Sequence, residues 1–223
     1  MRRTNWSRWR ERKTRNEGNR NGHCFSAGSD GPLGHLRRDP GSSGHPAVHE
    51  SAADVTGGVL VAGVGNLFLH DDGFGPEVAR HLAGHPQQPL APGVRVVDYG
   101  IRGMHLAYDL LAGVDLLVLV DTVPADGNSA PGSIRVLQVS AADVDGRAML
   151  DPHGMDPAAV LGRLRSMGGS LPATYVVGCV PADLTEGIGL SPAVAAAVPE
   201  AAAAVVSLLG RHSSTPNRFS TLK

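Results

Sequence analysis

The stretch that decides the fold of this chain is Leu116–Asp121, which reads LLVLVD. Five aliphatic residues in a row are typical of a central parallel strand that is covered on both faces. A carboxylate follows the run directly, at the end of the strand where open α/β sheets bind their ligands. The stretch therefore predicts a buried strand inside a layered α/β domain, with Asp121 at the edge of the sheet.

Patterns typical of strands and of helices alternate on both sides of this run. Four further strands are predicted at Val59–Val64, Val94–Asp98, Ser133–Val139 and Thr174–Val180, the third with the alternating polarity of an edge strand. Helices are predicted at Gly75–Leu82, Gly103–Ala112, Met155–Met167 and from Ser191 to Gly210. A break or kink at Pro199 should divide the last one into two pieces. The predicted fold class is α/β: a three-layer αβα domain with an open, mostly parallel, twisted sheet of about five strands.

Composition divides the 223 residues into one domain and two tails. Residues 1–55 are rich in Arg, Asn, Gly, Ser and Pro and poor in aliphatic residues, which predicts a disordered polar tail. The first 50 residues carry a formal net charge of +5 and the remainder −6. We interpret the tail as a dispensable extension, since it contains no recognisable nucleic-acid-binding module, and we expect no nucleic-acid partner. Residues 57–210 are predicted to form the α/β domain, and residues 211–223 a second polar tail.

The two cysteines, Cys24 and Cys179, indicate neither a disulfide framework nor a thiolate zinc site. A reducing compartment fits this usage, and we expect a cytoplasmic monomer. No run in the sequence approaches the ~20 apolar residues of a membrane helix. The charged start Met1–Thr4 is not followed by an apolar segment, so neither a membrane span nor a secretory signal is expected.

A glycine-rich turn follows the first predicted strand, in the segment Gly63–Gly75, which reads GVGNLFLHDDGFG. The dinucleotide fingerprint needs a glycine at the sixth position of this segment, where Phe68 stands, and the Gly-Lys-Ser/Thr of a phosphate loop is absent. An enzyme that acts on a small molecule through a nucleotide-type sheet is therefore a weak rival. The turn leads instead to Asp71 and Asp72 ahead of a helix, where acidic residues serve as helix caps or as ligands.

Three side chains are candidates for a common site: Asp72, Asp121 and His153, the last in the turn-rich sequence DPHG at 151–154. Two carboxylates and one imidazole form a nitrogen and oxygen site that suits Ni²⁺ or Zn²⁺ with open positions. The structural alternatives are a helix cap for Asp72, a turn for Asp121 and a plain surface position for His153. Spacing alone does not decide between these interpretations.

These segments together resemble the hydrogenase maturation protease family. The resemblance extends over about residues 58–210 and excludes the N-terminal tail. The matching segments are Gly63–Asn66, Asp71–Gly75, Asp98–Gly100, Leu116–Asp121, Pro131–Ser133, His153-Gly154, Val177–Pro181 and Gly187–Pro192.

The resemblance implies an endopeptidase that removes the C-terminal extension of a nickel–iron hydrogenase large-subunit precursor after nickel insertion. It implies that Asp72, Asp121 and His153 bind the nickel of the substrate and carry the catalysis, although some members have Glu at the first position. The nickel would polarise the scissile carbonyl, activate a water molecule or serve only for recognition. Cys179 lies in an apolar run without an evident His partner and is interpreted as a core residue. The alternative function is a non-catalytic nickel-binding accessory protein with the same ligands.

Overall fold

The computed structural model describes residues 58–84, 90–127, 129–140, 144 and 157–213. Within them, five strands form one sheet: β1 (Gly58–Val64), β2 (Val94–Gly100), β3 (Val114–Thr122), β4 (Ile134–Val139) and β5 (Ala173–Cys179). Their spatial order is β2-β1-β3-β5-β4, and all neighbours are parallel except β4, which runs antiparallel to β5 at one edge. The predicted α/β class with an open, mostly parallel sheet is confirmed, as is the edge position of the strand predicted at Ser133–Val139.

Helices cover both faces of the sheet and complete the three layers. They are α1 (Phe74–Ala83), α2 (Gly103–Leu111), α3 (Pro157–Ser166) and α4 (Pro192–Ser213). Helices α1 and α4 pack on one face, and α2 and α3 on the other. Leu117 and Leu119 of β3 enter the core under α2 and α3, whereas Leu116, Val118 and Val120 enter the core under α1 and α4. Both faces of β3 are buried, which explains its uninterrupted aliphatic sequence.

Helix α4 is a single continuous helix, so the predicted break at Pro199 is wrong. Proline removes one N–H bond of the helix, but Pro199 lies on the exposed side. Val194 before it and Val205 after it are both fully buried in the same core. Burial on both sides of the proline therefore keeps the two halves in one helix. The helix also extends to Ser213, three residues into the predicted tail 211–223.

Helix α4 contradicts the statement that no run in the sequence approaches the length of a membrane helix. From Pro192 to His212 it is long and apolar enough, by length and composition, to cross a membrane. In the fold, one face of the helix packs against α1, β4 and β5, as the core helix of a layered domain does. The predicted tail 1–55 and the predicted helix start at Met155 lie outside the described residues.

Candidate functional site

The candidate site is built where β1 and β3 end side by side at the carboxyl edge of the sheet. Gly63 pairs with Val120 in the strand ladder, so the chain that leaves β1 passes close to Asp121. It then forms a 3₁₀ turn, His70–Gly73, which leads directly into α1. The acidic pair Asp71 and Asp72 lies on this turn, at the edge where the sequence predicted a site.

Glycines allow this acidic turn to pack directly on the strand ends. Gly65 has a φ of +139°, and a Cβ at this position would overlap the carbonyl oxygen of Asp72. A Cβ at Gly75 would overlap the carbonyl oxygens of Val64 and Val120. The glycine-rich sequence therefore serves close backbone packing between the turn, α1 and the strands.

The Asp72 side chain is half-buried, and both of its carboxylate oxygens accept hydrogen bonds. Oδ2 accepts from the backbone N–H of Asn66 at 2.8 Å, and Oδ1 accepts from the hydroxyl of Thr122 at 3.2 Å. Helix α1 begins after Gly73 without a side-chain cap, so neither acid of the pair caps it. The capping alternative for Asp72 is therefore not supported by its contacts.

Asp121 is 1% exposed and is the penultimate residue of β3. Its Oδ1 accepts a hydrogen bond from the backbone N–H of Thr122 at 2.7 Å. Because Asp121 and Thr122 both pair with β5, the turn proposed as an alternative for Asp121 is not present at this position. Thr122 thus contacts both carboxylates, Asp121 through its N–H and Asp72 through its hydroxyl.

The third predicted ligand, His153, lies outside the described residues. Among the residues that the structure describes, no group of three or more His, Cys, Asp or Glu side chains is arranged to hold a metal ion. Asp72 and Asp121 supply carboxylate oxygens, which are ligands for divalent cations. An imidazole would complete a ligand set of the predicted type. Metal binding by Asp72, Asp121 and His153 therefore stays a prediction.

The neighbouring acid, Asp71, has a different environment that the sequence did not reveal. Its side chain is fully buried, and its carboxylate accepts four hydrogen bonds. Oδ2 accepts from the N–H groups of Ala182 (2.8 Å) and Asp183 (2.9 Å) and from the hydroxyl of Ser191 (3.0 Å). Oδ1 accepts from the Ser191 N–H at 2.6 Å. Asp71 therefore fastens the acidic turn to the segment between β5 and α4, which we call the 180–191 loop.

Backbone contacts join the same two loops next to Asp71. Leu69 and Gly187 form an isolated parallel bridge, in which the His70 N–H donates to Gly187 O and the Gly187 N–H donates to Phe68 O. His70 has a φ of +44°, and its Nδ1 lies 3.1 Å from Gly189 O. The bridge places two exposed apolar side chains on joined loops, Phe68 at 68% and Ile188 at 77% exposure.

Cys179 ends β5 opposite Thr122 in the ladder and is completely buried. Burial, together with the nearby charge of Asp71, raises the pKa of its thiol to about 12. A thiol with such a pKa stays protonated near neutral pH, whereas a nucleophilic cysteine needs its thiolate. The interpretation of Cys179 as a core residue agrees with this environment.

Two other titratable groups near this edge have pKa values shifted by their surroundings. Burial, together with a hydrogen bond to Asp109, strongly raises the pKa of Tyr99, which follows Asp98 near the end of β2. The N–H and the hydroxyl of Thr185 both donate to the Asp183 carboxylate and lower its pKa. The first contact joins the end of β2 to α2, and the second lies within the 180–191 loop.

Comparison with known proteins places this architecture in a family. A family model described as hydrogenase maturation protease matches residues 76–208. The chain belongs to the hydrogenase maturation protease family. Hydrogenase 2 maturation protease of Escherichia coli (strain K12) is 32% identical over 152 residues, which are 68% of this chain and 90% of the relative. The coenzyme F420 hydrogenase subunit delta of Methanothermobacter thermautotrophicus is 28% identical over 157 residues, covering 68% of this chain and 94% of the relative.

Solved structures of the maturation protease family agree with the sequence relatives. The hydrogenase maturating endopeptidase HybD from E. coli superposes with a TM-score of 0.58 at 32% identity, covering 70% of this chain and 94% of that one. The hydrogenase 2 maturation peptidase of a Thaumarchaeota archaeon gives a TM-score of 0.52 at 32% identity, covering 69% and 98%. The family resemblance inferred from the sequence is therefore confirmed.

Proposed function

We propose that this protein is the endopeptidase that removes the C-terminal extension of a nickel–iron hydrogenase large-subunit precursor after nickel insertion. The observation that carries the proposal is the pair of carboxylates, Asp72 and Asp121, at the carboxyl edge of a maturation protease fold. Both accept a hydrogen bond from Thr122. The proposed setting is the cytoplasm, with the protein acting as a monomer on one precursor molecule.

In this proposal the nickel is part of the substrate and directs docking. Asp72 and Asp121 contribute oxygen ligands and His153 a nitrogen ligand, a set that suits Ni²⁺. The half-buried Asp72 is within reach of a group that enters from solvent. The exposed Phe68 and Ile188 lie on the two loops around it and offer apolar surface to a polypeptide substrate.

The proposed reaction adds one water molecule across a single peptide bond, which leaves a new C-terminal carboxylate on the subunit and a free amine on the extension. The substrate's nickel supplies Lewis acidity for the scissile carbonyl or for the attacking water. The buried, protonated thiol of Cys179 is not available as a nucleophile, so the proposal uses no covalent step on the protein. Release of the extension would let the subunit close over its metal centre.

The test is incubation of the purified full-length protein with nickel-loaded precursor, followed by gel mobility and intact mass of the subunit. We expect a single shortened product, and none from nickel-free precursor. An accessory protein that only binds nickel would associate with the precursor without shortening it. Nickel-loaded precursor that keeps its full mass in the presence of folded protein would therefore exclude the proposed function.

A further inference from the structure

Thr122 contacts both candidate metal ligands, Asp72 and Asp121. It is the last residue of β3 and is 3% exposed. Its N–H donates to Asp121 Oδ1 at 2.7 Å, and its hydroxyl donates to Asp72 Oδ1 at 3.2 Å. The two carboxylates come from different segments of the chain, 49 residues apart, so Thr122 links the acidic turn to the central strand.

The hydroxyl of Thr122 restricts the Asp72 side chain, to which the part of the chain that the structure describes offers one further donor, the Asn66 N–H. The Asn66 N–H binds Asp72 Oδ2, and the Thr122 hydroxyl binds the other oxygen. A donor on each oxygen determines the plane of the Asp72 carboxylate. A single donor would leave the carboxylate free to rotate about its Cβ–Cγ bond. Because threonine is β-branched, its own side chain has few rotamers, and the hydroxyl is held in place before any ligand arrives.

We infer that Thr122 is a positioning residue that orients the Asp72 carboxylate toward a divalent cation shared with Asp121. The inference rests on the proposed function, since it assigns a further residue to the same site. Hydrogen-bond partners of metal ligands orient those ligands, and their loss typically lowers metal affinity or activity by about 10- to 100-fold. The backbone donors at Asn66 and Thr122 remain in any side-chain variant, so the hydroxyl is the contact that substitution can remove.

Two substitutions separate the hydroxyl from the packing of the side chain. Thr122→Val keeps the shape and removes the hydroxyl, whereas Thr122→Ser keeps the hydroxyl and removes a buried methyl group. If Thr122 only fills space, the valine variant should resemble the wild type more closely than the serine variant does. If the hydroxyl orients Asp72, the order is reversed, and serine rescues what valine loses.

The experiment measures the affinity of the full chain for Ni²⁺ alone by calorimetry, and kcat/KM for cleavage of nickel-loaded precursor. We expect Thr122→Val to lower both by about 10-fold or more, with Thr122→Ser close to the wild type. The matched control is Thr174→Val, another buried threonine, near the opposite end of the adjacent strand β5, whose hydroxyl donates to Pro172 O. This control should leave both quantities unchanged.

The outcomes distinguish this inference from the proposed function. Equal Ni²⁺ affinity and equal cleavage by the wild type and Thr122→Val would overturn the role of Thr122 and leave the endopeptidase function intact, as would a serine variant weaker than the valine variant. A wild type that binds Ni²⁺ but leaves the precursor uncut would overturn the proposed function, and the Ni²⁺ titrations alone would then decide the role of Thr122. A wild type that neither binds Ni²⁺ nor cuts the precursor would overturn both.

Discussion

Asp71 and Ser191 are 120 positions apart in the chain, yet the Asp71 carboxylate accepts hydrogen bonds from both the N–H and the hydroxyl of Ser191, at 2.6 and 3.0 Å. Ser191 is the residue before α4, and its carbonyl accepts the first bond of that helix, from the Ala195 N–H. The contact therefore ties the start of the C-terminal helix to the turn that carries Asp72. This position agrees with the helix start predicted at Ser191, and the hydroxyl of Ser191 donates to Asp71.

The first prediction concerns the stability that this buried carboxylate provides. Asp71→Asn keeps the shape but turns an NH₂ group toward donors, and hydrogen bonds to charged groups contribute roughly 1.5–3 kcal/mol each. We expect the free energy of unfolding to fall by about 3 kcal/mol, measured by chemical denaturation. The matched control is Asp115→Asn on the exposed start of β3, which should change stability by less than about 0.5 kcal/mol. Equal stability of the two variants would contradict the role of Asp71.

The adjacent acids show why the sequence predicted one part of the site and missed another. Asp71 and Asp72 are the same residue type on the same turn, and either could have faced the open edge of the sheet. Their difference depends on where Ser191 and the 180–191 loop lie, which is a contact over 120 residues. Sequence patterns describe neighbours along the chain, so they placed the pair at the edge of the sheet without assigning a partner to each acid. A matching segment near Ser191 was recognised, but its contact with the acidic turn was not.

The fold was more predictable than the site because its signals are local. The run Leu116–Val120 required burial on both faces, and alternating polarity indicated that Ser133–Val139 lies at the edge. The break predicted at Pro199 is wrong because packing on both sides of the proline outweighs its low helix propensity. Thr122 carried no signal at all, since its role depends on the direction of one hydroxyl.

Gly75 and Gly210 provide a test of backbone packing at the site. Gly75→Ala should destabilise the protein by about 3 kcal/mol or more, because the new methyl group would overlap the carbonyl oxygens of Val64 and Val120. Gly210 lies in α4 with open space around its Cβ position, so Gly210→Ala should stabilise the helix by about 0.5–1 kcal/mol. Denaturation of both variants measures the contrast. A well-folded Gly75→Ala variant with wild-type stability would show that the turn can move away from the strands.

Cys179 should be chemically silent in the folded protein. Burial raises its pKa from 9.0 to about 12, so at pH 8 the thiol is protonated as well as inaccessible. We expect iodoacetamide to leave residue 179 unmodified in the native protein and to label it after unfolding, as measured by peptide mapping. Because the folded-state pKa is the higher one, this burial contributes stability below about pH 9 that is lost as the pH rises toward 12. Loss of precursor cleavage on Cys179→Ala, with the fold retained, would contradict the assignment to the core.

Asp121→Asn tests the charge of the buried carboxylate. The amide oxygen of Asn can still accept the Thr122 N–H, so circular dichroism and the unfolding midpoint should stay close to those of the wild type. The negative charge that attracts a divalent cation is removed, and we expect cleavage of nickel-loaded precursor to fall by about 100-fold or more. Gel mobility of the precursor reports the rate. Normal trimming by a folded variant would return Asp121 to a structural role.

His153 is the predicted ligand that lies outside the described residues, and substitution tests its role directly. As an imidazole ligand, it should contribute directly to cation affinity, and His153→Gln should weaken Ni²⁺ binding by at least about 10-fold. The matched control is His105→Gln, an exposed histidine on α2 that is not part of the proposed site. Calorimetry with Ni²⁺ alone measures both variants, and cleavage of nickel-loaded precursor should follow the same order. If His153 is instead a plain surface residue, the two variants will bind Ni²⁺ equally well, and the cation site must then be completed by another group.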